Sequence, residues 1–507
     1  MNLLFDPWVP VRADGGTGAF RLLTYRQLLC EPGNWQVSLP RDDLELACLQ
    51  LLVCMTQVMF LPEDIQILRK RLAEPLPPEA FDAGIAPCRD WFDLDHPTQP
   101  FMQSRGVMGK MTTVQKLLPG LPEKTSTAPS AHCFFNEVME IRNMGGPIAA
   151  IALFNQASNS PSFGGGFQGS LRGGGPITTL VAGPNLREMV WRNVLTRPRV
   201  HERQIGMPGP GEEQPNWVKP IREGETIHWN EIGLARGLFW QPARVELIRA
   251  ERPAPCDMLG GEAVPVYVGF RAEQFKFTVE GRWPHPHGAM TASTKKGALE
   301  WKFAAFTTTA PAWTLLTEFV VPKSADGPGA KEGCVPAGPV SQAAELGDGR
   351  LELMVGGYRV ENGAAIRERR HELMSLAQGW ADDKRRLQQL VDIGIEVKSA
   401  LHKRLQAAGK GDRNKGLKGI GAAIHESAEK LFYARTEGLI HAVFSNALTF
   451  KEWQSAKAGF TEQLAGHCRA IFEELTDPYA MKPELIPVIA WAWRSLNTDL
   501  AKLKEGA

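Results

Sequence analysis

Apolar and polar positions in the C-terminal part of the chain recur with the spacing of a helix face. Leu387, Leu390, Val391, Gly394, Val397, Leu401 and Leu405 follow one another mostly at steps of three and four. Trp453, Phe460, Leu464, Ile471 and Leu475 recur at steps of seven and four on a later segment. Such stripes mark one side of an amphipathic helix. From Ala364 the chain reads as helical, and no proline interrupts it until Pro478. The pattern predicts helices over 382–408, 419–447, 450–475 and 483–504. Four helices of similar length joined by short turns most simply form an up-down bundle.

The pattern before Gly363 is different. It is irregular and rich in Gly, Pro and Trp, with strand-like runs at 8–11, 20–23, 243–248, 264–270, 275–279 and 303–309. The segment 148–154 reads as a strand or a short helix. The most apolar run, 44–61 (LELACLQLLVCMTQVMFL), is broken by Glu45, Gln50, Thr56 and Gln57. Its uninterrupted parts are too short to cross a bilayer, so it reads as a buried helix. Ser38 or Asp42 could cap that helix, and Asp42, Asp43 and Glu45 suit its N-terminal dipole. The segment 105–131 reads as a long polar connection broken by Pro119, Pro122 and Pro129. Gly/Pro-rich loops fall at 163–176, 204–215 and 322–349. The fold class is therefore α+β: a large mixed α/β domain over 1–363, followed by a four-helix bundle over 364–507. No internal repeat is visible.

Composition narrows the function classes. The 507 residues carry 57 Lys+Arg and 56 Asp+Glu, and 43% are apolar. That is enough apolar surface to offset ordering entropy, so whole-chain disorder is excluded. A near-zero charge argues against a protein that coats nucleic acid by bulk charge, but not against a local basic site. None of the eight cysteines forms a C-x-x-C pair, so no zinc ribbon or thioredoxin motif is present. Without a signal peptide, a reducing cytoplasm is the expected location.

Several motifs could carry chemistry. Phe163–Gly169 reads FGGGFQG and formally matches G-x-G-x-x-G, but the residues after it are a poor start for a helix. A second reading is close approach of another molecule to the backbone, since glycine has no Cβ. Arg172, a few residues on, suits a phosphate. The WPHPH segment pairs His285 with His287 but lacks further metal ligands nearby. His425-Glu426-Ser427-Ala428-Glu429 resembles the zinc-protease H-E-x-x-H, except that its last position is Glu. Basic clusters occur at Lys295, Lys296 and Lys302, near Arg271, Lys276 and Arg282. Others occur at Arg192, Arg197, Arg199 and Arg203, and at Lys410, Arg413, Lys415 and Lys418. No P-loop, Ser-His-Asp arrangement or carboxylate-rich nuclease centre is recognisable, so the chain reads as non-enzymatic, with no cofactor and no metal. The competing classes are a metal-dependent nuclease using His285, His287 and His425, and a structural scaffold without DNA contact.

Eight strings, taken in order, resemble one family. They are SLPRDDLELA (38–47), IALFNQA (151–157), FGGGF (163–167), LRGG (171–174), GLFWQPA (237–243), WPHPH (283–287), GGYR (356–359) and ERRH (368–371). Together they are similar to the CasA family, the large subunit of the type I-E CRISPR Cascade surveillance complex. The resemblance covers essentially the whole chain. It implies a non-catalytic subunit that recognises a protospacer-adjacent motif (PAM) in duplex DNA, starts strand separation and R-loop formation, and helps recruit a helicase-nuclease in antiviral defence. The implied partners are the backbone, 5′-handle-binding and small subunits, the CRISPR RNA, double-stranded target DNA and that helicase-nuclease, with no membrane. The family's fold is a mixed α/β domain and a four-helix bundle.

The resemblance also assigns residues. Gly164, Gly165 and Gly166 correspond to a glycine loop that lies against the minor groove beside the motif. The minor-groove code is degenerate, so a backbone reader tolerates related motifs. Phe134, Phe135 and Asn136 correspond to a loop that meets the RNA 5′ end and the motif region. Lys295, Lys296 and Lys302 correspond to a basic path for the displaced strand. The family's minor-groove lysine corresponds to Ala272, with Arg271 one residue earlier and on the opposite strand face. The duplex-entering wedge follows GGYR and reads Val360, Glu361, Asn362, Gly363. Relatives with paired cysteines near 143–147 and Cys256 have no counterpart pairs here, so the resemblance implies no zinc.

Overall fold

The computed structural model describes residues 1–121, 140–206, 213–263, 265–295, 298–324, 332–347, 349–361, 365–446 and 453–506. They form two compact units. The first comprises Met1–Thr308, Pro322–Gly347 and Leu353–Leu373; the second comprises Thr309–Val321, Asp348–Glu352 and Met374–Ala507.

The first unit is built around the helix Asp42–Met59, whose residues from Asp43 to Gln57 are almost all buried. Neither expected cap forms. Arg41 holds the N-cap position without a side-chain capping bond to the helix amides, while Asp42, Asp43 and Glu45 occupy the first turn. The segment left open between strand and helix is the helix Gly146–Ser158, opened by Pro147 and buried on every side. A helix buried all round has no amphipathic period to betray it. It packs on Asp42–Met59, as does the helix Leu186–Asn193.

The expected strands at the N-terminus form an antiparallel pair in the register Val9↔Leu23 to Arg12↔Phe20. A second sheet is centred on the strand Val266–Glu273. Arg244–Arg249 lies along one side of it, and Met144–Gly145 and Met111–Thr113 share the other. The described part of the polar connection after Arg105 therefore packs on the fold, with Leu117 and Leu118 buried. Two further expectations shift. The run at 275–279 supplies only the short strand Thr278–Glu280, and the strand near 303–309 lies earlier, at Ala298–Phe303.

The chain is not helical from Ala364. Ala365–Leu376 is a strand, paired with Leu351–Glu361, which in turn pairs with Thr178–Val181. Its sequence, AIRERRHELMSL, is full of helix formers, and tertiary pairing overrides that propensity. Ion pairs add to the sheet, including Arg359–Glu368 at 3.0 Å. Nine of its residues, through Leu373, belong with the first unit.

The second unit holds the helices Lys384–Lys410, Ile424–Asn446, Trp453–Ala480 and Ile486–Gly506. Each lies within a few residues of its expected span. Lys384–Lys410 packs against the other three. Its stripe from Leu387 to Leu405 is buried, as are Phe460, Leu464 and Ile471 opposite. Gly394 has a packing reason: a Cβ there would stand 2.8 Å from the Trp313 ring. No helix among the described residues is long and apolar enough to cross a membrane.

Candidate nucleic-acid interface

The segment from Phe163 to Ile177 carries the candidate glycines and lies against the strand Val266–Glu273 and the strand Leu351–Glu361. Its first part is a tight turn in which the Phe167 amide donates to the Gly164 carbonyl at 3.2 Å. Gly164 (φ +131) and Gly166 (φ +88) adopt backbone conformations that L side chains rarely take. The flanking rings of Phe163 and Phe167 pack edge-on at 5.6 Å, and Phe163 lies 5.5 Å from Phe270. The apolar pair thus fixes the turn to the Val266–Glu273 strand and leaves Gly165 and Gly166 exposed at its tip. This is not a dinucleotide loop. A helix precedes it, and no helix follows until Leu186.

The side chain that stands over the turn is Gln274. A Cβ on Gly166 would fall 2.2 Å from Gln274 Oε1. Strand alternation already points there, because Phe270, Ala272 and Gln274 share a face. The family resemblance marks that face only at Ala272. Arg271 lies on the opposite face, exposed, with Glu246 and Met111 as its cross-strand neighbours.

The same segment then meets the hairpin of the expected wedge. A Cβ on Gly175 would fall 2.6 Å from Val360 Cγ2, and one on Gly357 would fall 2.7 Å from the Pro176 carbonyl. Glu361 ends the first hairpin strand, is exposed, and forms an ion pair with Arg367. Asn362 and Gly363 lie outside the described residues, as do Phe134, Phe135, Asn136 and Lys296. Downstream, the Ile177 amide donates to the Ala304 carbonyl at 2.8 Å, next to the strand that carries Lys302. Lys302 is exposed and 3.5 Å from Glu300. Lys295 ends the paired strand Met290–Lys295.

The strand Leu351–Glu361, which leads to the expected wedge, is anchored by a buried polar network. Arg41 donates to both Asp43 oxygens at 2.9 and 2.7 Å. The Tyr358 hydroxyl donates to Asp43 Oδ2 at 2.7 Å and accepts from Asn155 Nδ2 at 2.7 Å. Burial pushes the Tyr358 hydroxyl well above its ordinary range, so it stays a donor. These residues come from the strings SLPRDD, IALFNQA and GGYR, so part of what made the sequence recognisable is this single network.

Other candidates are structural. Arg172 is buried and donates to Thr178 Oγ1, Ser158 O and Asn159 Oδ1 at 2.6–3.0 Å. It cannot reach a phosphate on the surface, and burial lowers its pKa to about 9. His285 and His287 are buried with their rings 5.2 Å apart. Burial, then the charge of Arg172, pushes His287 down to about 3 and His285 in the same direction, so both are neutral. Glu429, the odd residue of the H-E-x-x-E string, pairs with Lys398 at 2.9 Å. Among the described residues, no group of three or more histidines, cysteines or acids is placed to hold a metal ion.

The histidine pair makes stability pH-dependent. The unfolded chain takes up protons on these rings below about pH 6.5, while the folded chain does so only near pH 3 for His287. The stabilisation is therefore complete above the unfolded value and is lost as pH falls from there toward the folded one. Each histidine contributes a slope of about 1.4 kcal/mol per pH unit inside its window. Melting curves between pH 7 and pH 5 should show this loss, and His287→Gln should flatten it. An unchanged slope in the variant would mean that His287 is not held neutral.

A profile of the family described as CRISPR-associated protein Cse1 matches residues 2–471. The chain belongs to this family. Solved structures agree in fold. The Cse1 protein of Acidimicrobium ferrooxidans superposes with a TM-score of 0.71 at 18% identity, covering 100% of this chain and 98% of that one. Thermobifida fusca Cse1 gives 0.74 at 15% identity, covering 100% and 98%. A chain of a CRISPR RNA-guided surveillance complex gives 0.67 at 18% identity, covering 98% and 99%. The likeness therefore runs through both units, the mixed α/β part and the helix bundle.

Proposed function

We propose that this chain is the large subunit of a Cascade-type, RNA-guided complex, and that it reads a short motif in the duplex beside the target and begins to open it. The observation that carries this reading is the convergence on residues 163–177 of an exposed glycine turn, a glutamine and the strand that ends at Glu361. Backbone amides at Gly165 and Gly166 can approach a narrow groove because no Cβ intervenes. Gln274 offers an amide NH2 donor group and a carbonyl acceptor to groove edges, the kind of side chain that distinguishes A·T from G·C there. The hairpin tip after Glu361, at Asn362 and Gly363, is the wedge. Pairing with Arg367 offsets the charge of Glu361, which would otherwise be repelled by phosphates.

Target sequence is read by guide pairing in such complexes, so the protein needs only a local reader and a short basic path. Lys295, Lys296 and Lys302 supply that path for the displaced strand. Phe134, Phe135 and Asn136 meet the CRISPR RNA. Strand cleavage falls to a recruited helicase-nuclease, and the setting is the cytoplasm.

The test is photocrosslinking of the reconstituted complex to a duplex with probes in the motif. Crosslinked peptides spanning 163–169 and 270–274 are expected; crosslinks that avoid both would overturn the reading. For the basic path, Lys295→Ala with Lys296→Ala should lower the slope of log affinity against log salt by about 1.4, the value for two contacts to a single strand. Lys302→Ala should do less, because Glu300 already offsets its charge. An unchanged slope in the double variant would remove these lysines from the path.

A further inference from the structure

The remaining basic clusters behave in two ways. Those of the first unit are spent internally: Arg197 pairs with Glu63 at 2.6 Å, Arg199 with Glu202 and Glu345, and buried Arg203 donates to the Pro336 carbonyl at 3.0 Å. The cluster between the first two bundle helices is not. There Gly411–Asp412 pairs with Leu417–Lys418 in a small antiparallel hairpin, closed by the turn Arg413–Lys415. Asp412 Oδ1 accepts from the Asn414 and Lys415 amides at 3.0 and 3.4 Å. Gly411 (φ +76) packs tightly, since a Cβ there would stand 2.4 Å from the Leu417 carbonyl. The hairpin is therefore a rigid mount.

Lys410, Arg413, Lys415 and Lys418 are all exposed on it, against the single acid Asp412 in 410–418. Lys415 is partly engaged, 3.7 Å from Asp412 and over the Trp491 ring. Lys410 sits in the last turn of its helix, where the dipole favours a cation. Arg413 and Lys418 have neither role and no carboxylate partner among the described residues. No large apolar side chain is exposed on the hairpin, so it lacks the anchor that a protein partner would need. What it offers is clustered positive charge in a chain whose net charge is only +1, which is the chemistry of a phosphodiester backbone.

We propose that this bundle hairpin is a sequence-independent contact to a nucleic-acid backbone, separate from the glycine turn. It rests on the reading above only in that the chain works on nucleic acid. The test uses the reconstituted complex and the full chain, with Arg413→Gln and Lys418→Gln together. Affinities for motif-free DNA duplex and for single-stranded RNA are measured between about 50 and 200 mM salt. The expected result is a fall in the salt slope of about 2 for duplex, or about 1.4 for RNA, with the responding arm naming the source. Discrimination between motif-bearing and motif-free duplex should stay at the wild-type ratio, whereas failure of the glycine-turn reading would show in that ratio alone. Both substituted side chains are exposed, so the melting temperature should not move. Unchanged slopes in both arms, or weaker binding with an unchanged slope, would overturn the proposal.

Discussion

A complex carrying Gly165→Asp is expected to assemble and melt like the wild type, yet to bind target duplex about 100-fold more weakly, since a like charge set against phosphates costs several kcal/mol. The structure separates function from folding at this position. Gly165 is exposed, its φ lies outside the left-handed region, and a Cβ there meets nothing within 4 Å. The fold therefore accepts a side chain, and only the groove rejects it. Gly165→Ala should fall between the two. Gly166→Ala is a different experiment, because φ is +88 and Gln274 already fills the space. It should disturb the turn itself, at a cost of about 1 kcal/mol or more. Duplex binding by the assembled complex, together with a melting curve of the chain, checks both. Wild-type affinity in Gly165→Asp would place the turn away from the DNA.

The largest effect on stability is expected at Asp43. Arg41 and Asp43 have side chains only 10% and 6% exposed. Removing the carboxylate by Asp43→Ala leaves a buried guanidinium without its counter-charge, which costs about 3–5 kcal/mol. It also removes the acceptor of the Tyr358 hydroxyl. Tyr358→Phe deletes one donor from the same network and should cost about 1–3 kcal/mol. Because Tyr358 lies three residues before Glu361, the loss should also loosen the strand that leads to the proposed wedge. Urea titration measures the first effect, and duplex opening by the assembled complex measures the second. A loss below about 1 kcal/mol in Asp43→Ala would show that the network is not an anchor of the fold.

The bundle was legible in the sequence because its helices bury one stripe each, and a stripe has a period. Where burial is complete or strand pairing overrides local propensity, that signal disappears. Gly146–Ser158 is apolar on all sides and read equally well as a strand. Ala365–Leu376 is made of residues that prefer helices and is a strand because Leu351–Glu361 lies beside it. Arg172 illustrates a different limit: an arginine after a glycine cluster looks like a phosphate ligand until its carbonyl partners are known. Around the turn, the glycines and the strand after Phe270 were visible as text. What brought them together was the packing of Phe163 on Phe270. Gln274 emerged only from that packing, although alternation from Phe270 would have reached it.

We propose above that this chain reads duplex DNA beside the target through the glycine turn. The most direct measurement is a selection of randomised flanking sequences for binding to the reconstituted complex, run with wild type and with Gly165→Asp. A small set of related motifs should be enriched by the wild type, and the enrichment should vanish in the variant. Equal enrichment in both, or no motif preference in the wild type, would contradict it.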